Sequence, residues 1–264
     1  VAVDAERELL SVAEQAAAAG AAELSARFGS RVRGVRAKST PTDLVSDADL
    51  AAESAIHAVL ASRRPSDPIL SEEGGSVGGE GGPRSVRWIV DPLDGTVNFL
   101  FGIPVFAVSV ACADAAGTVA GVVLDPIRDE CFAATRSGPA TLNGASIEPS
   151  ARDGGLAEAM VATGFGYDAA VRARQAAVVA RVLPRVRDIR RAGSASLDLS
   201  WCACGRYDAY YERGVQTWDV AAGCLIASRA GLEVRKLAAT ELDAVGWLVA
   251  PGEYADELVG LVTG

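Results

Sequence analysis

Trp88-Ile89-Val90-Asp91-Pro92-Leu93-Asp94-Gly95-Thr96-Val97-Asn98-Phe99-Leu100-Phe101-Gly102 concentrates two carboxylates, a hydroxyl and a glycine turn behind a short apolar run. Trp88, Ile89 and Val90 read as a buried strand. Pro92 has no N–H and a fixed φ, so it is expected to end any regular ladder and leave Asp91 at the strand's end. Asp94 lies three residues on, and Gly95 lets the chain turn sharply, which brings both acids into one small volume. Two carboxylates that close repel, and a divalent cation relieves them. Oxygen ligands without histidine or cysteine suit magnesium, manganese or calcium rather than zinc. Gly95 and Thr96 would then open a short helix whose free N–H groups can hold a phosphate. Taken singly, Asp-Pro and Asp-Gly are ordinary turn dipeptides.

Downstream, Val105 to Ala111 and Val119 to Leu124 read as strands joined by a turn at Asp114 to Gly117. Glu130 to Thr135 and Thr141-Leu142-Asn143-Gly144 suggest further antiparallel strands. Upstream, Pro68-Ile69-Leu70 is a short strand running into Ser71-Glu72-Glu73. The glycine-dense segment from Gly74 to Gly82 is expected to be a flexible loop, because it cannot pack a core. Residues 2 to 28 form a scaffold helix, Arg31 to Lys38 a strand, and about Ala48 to Arg63 a second helix. Ser46 with Asp49 three residues later has the spacing of a capping box. A Glu-Glu pair at a loop edge is usually solvated surface.

From Leu156 the pattern changes to alternating strand and helix, with Ala159 to Thr163 as a strand and Ala169 to Leu183 as a helix. Gly164-Phe165-Gly166-Tyr167-Asp168-Ala169 formally fits a dinucleotide-binding turn, with Asp188 at about the distance of a ribose contact. Such a unit normally opens a nucleotide-binding domain and needs further parallel strands, so an oxidoreductase is the remote reading. Thr217-Trp218-Asp219-Val220-Ala221-Ala222-Gly223 begins another helix, in which Trp218 is core and Asp219 a cap.

The chain of 264 residues is half hydrophobic and carries a net charge of −9, enough for a large core. The acidic balance speaks against nucleic-acid or anionic-membrane binding, and no apolar run is long enough to span a membrane. The start has neither the basic region nor the apolar run of a secretory signal, and a cytoplasmic protein is expected. Five cysteines form no Cys-x-x-Cys pair, so a disulfide framework is not expected. The single histidine, His57, has no other histidine with which to build a triad or a zinc site, and is read as structural.

The run from Asp91 to Gly102 resembles, without a gap, the first motif of the inositol monophosphatase family of metal-dependent phosphatases, Asp-Pro-(Ile/Leu)-Asp-Gly-Thr followed by Asn-Phe and a glycine. Trp218 to Gly223 resembles the second motif, Trp-Asp-x-Ala-Ala-Gly. Lys38-Ser39-Thr40-Pro41-Thr42-Asp43-Leu44-Val45 resembles a family segment that precedes an aspartate orienting the motif threonine, here Asp49. A family Glu-Glu pair falls on Glu72 and Glu73.

The resemblance implies a layered αβαβα sandwich of the α+β class. It implies one catalytic unit over residues 1–264, antiparallel to about residue 150 and α/β from about 151, in a homodimer. It further implies hydrolysis of a small phosphate monoester with two or three magnesium ions, manganese being a substitute. Glu72, Asp91, Thr96 and the Leu93 carbonyl would hold one ion, and Asp91, Asp94 and Asp219 a second. Glu72 and Thr96, the latter oriented by Asp49, would position the attacking water. Phosphate would rest against Gly95 and Thr96, and substrate against Gly193, Ser194, Ala195 and Glu212. Lys38 would lie on a loop near the metals, and lithium would inhibit. Inositol 1-phosphate is the favoured substrate, with histidinol phosphate, fructose 1,6-bisphosphate and phosphoadenosine phosphate as alternatives. A non-enzymatic protein that binds a partner through this cleft is the remaining one.

Overall fold

The computed structural model describes residues 1–29, 35–37, 44–78, 86–150 and 154–264. Alanine, glutamate and leucine carry α1 (Val3–Arg27). A two-residue ladder follows, β1 (Arg36–Ala37) with β2 (Leu44–Val45). Of the strand expected over Arg31 to Lys38, only Arg36–Ala37 falls among the described residues as strand, and Lys38 to Asp43 lie outside them. Helix α2 (Asp47–Arg63) packs along α1 and starts with the expected capping box. Ser46 Oγ accepts from the Ala48 N–H at 3.2 Å, and Asp49 Oδ2 accepts from the Ser46 N–H at 2.9 Å.

Strands β3 (Ile69–Ser71), β4 (Gly75–Val77) and β5 (Arg87–Asp94) come next. After the short α3 (Thr96–Leu100) the chain meanders through β6 (Ala107–Asp114), β7 (Gly117–Asp125), β8 (Glu130–Thr135), β9 (Thr141–Leu142) and β10 (Ala145–Ser146). These strands form one sheet in the order β10-β9-β8-β7-β6-β5-β3-β4. It is antiparallel except where β3 runs beside β5.

Two expectations are corrected here. The glycine-dense segment is not loop throughout, since Gly75–Val77 pairs antiparallel with β3, Ile69 facing Val77. An edge strand needs only its backbone to pair, so few side chains to bury do not prevent it. The rest of that segment, Gly79 to Gly82, lies outside the described residues. Nor does Pro92 end the ladder. β5 runs on to Asp94 with a register shift between Asp91 and Asp94, and a proline fits such an irregularity because no N–H is needed there.

The second half comprises α4 (Gly155–Glu158), β11 (Met160–Thr163), α5 (Ala169–Val182), β12 (Asp188–Arg190), α6 (Ala195–Ala203), β13 (Ala209–Arg213), α7 (Thr217–Ala230), β14 (Glu233–Leu237), β15 (Gly246–Ala250) and α8 (Gly252–Thr263). Its sheet has the order β12-β11-β13-β15-β14. β11 is parallel to both neighbours, and the remaining pairs are antiparallel.

Alternation along the strands sets the layers. Trp88 and Val90 of β5 face a core shared with α1 and α2, whereas Ile89 faces one shared with α6 and α7. On the second sheet, Tyr210 and Val249 face α6 and α7, while Tyr211 and Leu248 face α5 and α8. The result is a layered αβαβα arrangement of the α+β class. All nine residues of α6 are buried between the sheets. Among the described residues no helix is long and apolar enough to cross a membrane.

Candidate active site

A cleft of about 650 Å³ opens where the end of β5 meets the starts of α6 and α7 and the end of β13. Asp91 and Asp94 reach it from the irregular end of β5, only 1% and 9% exposed. Asp91 Oδ1 accepts from the Leu93 N–H at 3.0 Å, which fixes the turn through Pro92. Gly95 follows at φ 100°, a left-handed conformation that favours glycine. A Cβ there would also stand 3.0 Å from the Val105 carbonyl.

Asp94 is held from the far side of the cleft. Its Oδ2 accepts from Ser194 Oγ at 2.7 Å, from the Ser196 N–H at 2.7 Å and from Ser196 Oγ at 2.5 Å. A carboxylate from one sheet thus satisfies the N-terminus of a helix belonging to the next layer, where the helix dipole favours negative charge. Asp219 does the same for its own helix, accepting from the Gln216 N–H at 2.6 Å.

Thr96, the first residue of α3, places its hydroxyl 3.0 Å from Asp49 Oδ1 and 3.0 Å from the Leu93 carbonyl. Asp49 is fully buried and serves twice, capping α2 with one oxygen and meeting Thr96 with the other. Glu72 follows β3, its N–H donating to the Val90 carbonyl at 3.2 Å, and its carboxyl shares a hydrogen bond with Asp91. The turn that carries Glu72 is pinned by Glu53 of α2. That buried acid accepts from Ser71 Oγ and, at 2.9 Å, from the Gly74 N–H.

The opposite wall is built from Gly193, Ser194 and Ala195 ahead of α6, and from Glu212 near the end of β13. Glu212 Oε2 accepts from Tyr210 Oη at 3.0 Å. Gly164 makes room for it, since a Cβ there would lie 2.1 Å from the carboxylate oxygens. That close approach, rather than a dinucleotide, accounts for this glycine. Asp188, the supposed ribose contact, is instead paired with Arg190 at 2.5 Å.

Burial is the first cause of every acid shift here. It drives Asp91 well above the usual carboxylate range, and the charges of Glu72, Asp94 and Asp219 add to it. Asp219 is also driven well up, by burial and then by Asp94, with the Gln216 N–H opposing. Asp94 rises as well, but the serine donors oppose the rise. Glu212 is pushed up to about 7. Asp198 on α6 rises well above its ordinary value, chiefly by burial and then by Glu212.

Every residue expected at the site and described lines the cleft, except Asp49, which stands behind Thr96. Lys38 lies outside the described residues. Among the described residues no three acidic, histidine or cysteine side chains draw close enough to form a ready-made metal cage. The oxygens instead surround the cleft, several already engaged by protein donors. In kind, this set of carboxylate, hydroxyl and carbonyl oxygens without nitrogen or sulfur fits magnesium. His57 does not line the cleft. Sequence reasoning missed Glu53, Ser196 and Asp198. A buried glutamate in mid-helix and two polar residues on a buried helix carry no local signal of their contacts.

Comparison with known proteins gives the same reading. A profile of the inositol monophosphatase family matches residues 5–260. The inositol-1-monophosphatase SuhB of Mycobacterium tuberculosis is 45% identical over 268 residues, spanning 95% of this chain and 92% of that one. A protein of Pseudomonas aeruginosa called Nus factor SuhB is 43% identical over 196 residues, spanning 72% of this chain and 70% of that one. The crystal structure of extragenic suppressor protein suhB from Bartonella henselae matches with a TM-score of 0.88 at 35% identity, covering 97% of this chain and 98% of that one. By sequence and by structure, the chain belongs to the inositol monophosphatase family of phosphoric monoester hydrolases.

Proposed function

We propose that the chain is a magnesium-dependent phosphatase for a small polyol phosphate, with inositol 1-phosphate as the first candidate. The observation that carries this reading is the convergence of Glu72, Asp91, Asp94 and Asp219 on one end of a cleft beside the Asp49-oriented Thr96. Glu72, Asp91, Thr96 and the Leu93 carbonyl would hold one ion, and Asp91, Asp94 and Asp219 a second. Magnesium, when bound, would supply the positive charge a phosphate needs at this acidic end and make a water acidic enough to attack phosphorus.

The protein's part is orientation. The Thr96 hydroxyl has one proton and two acceptors at 3.0 Å, Asp49 Oδ1 and the Leu93 carbonyl. Donation to Asp49 Oδ1 leaves the Leu93 carbonyl free as a ligand and the Thr96 lone pairs free to accept from the attacking water. Glu72 faces the same cleft and positions that water with Thr96. The N–H groups of Gly95 and Thr96 would hold phosphate oxygens where charge builds during transfer.

Gly193, Ser194 and Ala195 would form the floor under the substrate, and Glu212 would read its hydroxyls. With its pKa near 7, Glu212 is populated in both protonation states at neutral pH and can accept from a hydroxyl or donate to one. Histidinol phosphate, fructose 1,6-bisphosphate and phosphoadenosine phosphate are the competing substrates. Lithium sensitivity, a homodimer and a cytoplasmic setting belong to the same reading and rest on the resemblance.

Phosphate release from these four substrates, with and without magnesium, tests it. Magnesium-dependent release, fastest from inositol 1-phosphate, is expected. No release from any of them at millimolar magnesium would overturn the reading.

A further inference from the structure

A second groove, of about 440 Å³, adjoins the cleft between α5, the end of α8 and the loop that joins β14 to β15. Arg174, Arg213 and Asp243 line both cavities and form the partition between them, whereas Arg181 lines the groove alone. Arg174 and Arg181 stand about two helical turns apart on α5 and so share a face. Three guanidiniums thus meet in one groove of a chain whose net charge is −9.

Asp243 is the only acidic side chain among the described residues that line it. It balances Arg174, whose Nε donates to its Oδ1 at 3.2 Å and whose Nη2 donates to the Leu242 carbonyl at 2.6 Å. Arg181 and Arg213 form no ion pair with a described residue. Arg181 Nε donates to the Leu261 carbonyl at 3.1 Å, and Arg213 Nη1 to the Ala238 and Ala244 carbonyls at 3.0 and 2.8 Å. Those bonds fix the two side chains without neutralising them. Nη2 of both, and Nε of Arg213, bond to no described residue. Gly264 also lines the groove and forms no ion pair with them. Beside these donors the groove is apolar, walled by Ala177 and Val178 of α5 and Val262 of α8.

We propose that this groove binds a small organic dianion, a phosphate or phosphonate head on an apolar body, as a molecule separate from whatever occupies the cleft. Two fixed guanidiniums without a carboxylate match the charge of such a head and meet its oxygens with charge-assisted hydrogen bonds. The body gains by covering the alanine and valine side chains. The site does not rest on the phosphatase reading, and binding rather than turnover tests it.

The probe is phenylphosphonate, whose P–C bond a phosphate-ester hydrolase does not cleave, titrated calorimetrically into the full chain at millimolar magnesium. One binding component is expected to weaken at least about tenfold in Arg181→Ala, and in Ala177→Glu, which sets an acid beside Arg181 on the exposed face of α5. Arg181→Lys should keep part of it, and Asp219→Asn, an alteration of the cleft, should leave it unchanged. Inorganic phosphate, which has no body to cover the groove wall, should bind at least about tenfold more weakly in the same component. Equal affinities for phenylphosphonate in the wild type, Arg181→Ala and Ala177→Glu overturn the site, as does binding that Asp219→Asn abolishes. No binding at millimolar phenylphosphonate, or phosphate binding as tight as phenylphosphonate, overturns it too.

Discussion

The buried acids of the cleft fall into two groups that are held differently. On the β5 side, Asp91, Asp94 and Asp219 each give one oxygen to a backbone N–H, those of Leu93, Ser196 and Gln216 at 3.0, 2.7 and 2.6 Å. On the β13 side, Glu212 has only the Tyr210 hydroxyl at 3.0 Å, and behind the cleft wall Asp198 Oδ1 of α6 is buried without a hydrogen-bond partner among the described residues. Backbone N–H groups favour the ionised carboxylate and fix its orientation. Burial pushes the acids of both groups toward neutrality, and in the first the Ser196 and Gln216 N–H groups oppose it. The first group, with its oxygens fixed in orientation, is suited to holding cations, and Glu212, which lines the cleft, to reading hydroxyls.

Removing charge while keeping shape puts the largest strain on this contrast. In Asp94→Asn and Asp219→Asn the amide oxygen can still accept from the serine or Gln216 donors, so the folds of α6 and α7 should survive. The charge needed by a cation is gone, and turnover should fall by at least about a hundredfold, the scale of losing a strong electrostatic stabiliser of a transition state. Near-normal turnover with unchanged magnesium dependence in either variant would show that these oxygens only cap helices.

A smaller loss is expected behind the first group. Asp49→Asn can keep its α2 cap with the amide oxygen, but it then turns an N–H₂ toward Thr96 Oγ where the wild type offers an acceptor at 3.0 Å. The threonine hydroxyl would be turned round, and kcat should drop about tenfold with KM little changed, as for the loss of one orienting hydrogen bond. Thermal unfolding alongside the kinetics separates the two duties. A lowered Tm with normal kcat would assign Asp49 to the cap alone.

The two groups also differ in how much of them could be read from residues alone. Asp91, Asp94, Gly95 and Thr96 lie within six residues of one another, and Ser46 with Asp49 is a local cap, so short-range rules reach them. The donors that hold Asp94 are 100 and 102 residues away in the chain. Glu53 looks like any solvent-facing helix glutamate until its 8% exposure and its contact with Ser71, 18 residues on, are seen. The misreading of Pro92 has a physical cause as well. The rule that proline ends a ladder assumes regular pairing, and β5 accommodates it through a register shift. On the second wall, the glycine pattern at Gly164 carried two meanings, and only its 2.1 Å approach to Glu212 selected between them.

If Glu212 reads hydroxyls, its truncation should alter choice before rate. Glu212→Ala is expected to lower kcat/KM for inositol 1-phosphate about tenfold more than for phenyl phosphate, which has no neighbouring hydroxyls to lose. Equal losses on the two substrates would move Glu212 into the first group of acids, as a participant in chemistry common to every substrate.

The smallest effect is on stability, and it tests the second group's proton directly. Burial, followed by the charge of Asp94, lifts Glu212 from an ordinary value of 4.5 to about 7, against the opposing Tyr210 hydroxyl and Arg191 charge. The folded protein therefore holds this proton more tightly than the unfolded chain. The associated stability is complete below about pH 4.5 and is lost as pH rises through 7. A glutamine side chain carries no charge at any pH, so in Glu212→Gln that loss disappears. The variant should match the wild type near pH 4.5 and exceed it at pH 8 by roughly 1–2 kcal/mol, or a few degrees in Tm. This is less than a fully enclosed acid with the same shift would give, because the carboxylate opens onto the cleft. A gain of the same size at both pH values would trace to packing of the amide instead. A loss confined to pH 8 would mean that the ionised carboxylate is stabilised where it sits, and the contrast between the two walls would then fail at its weaker member.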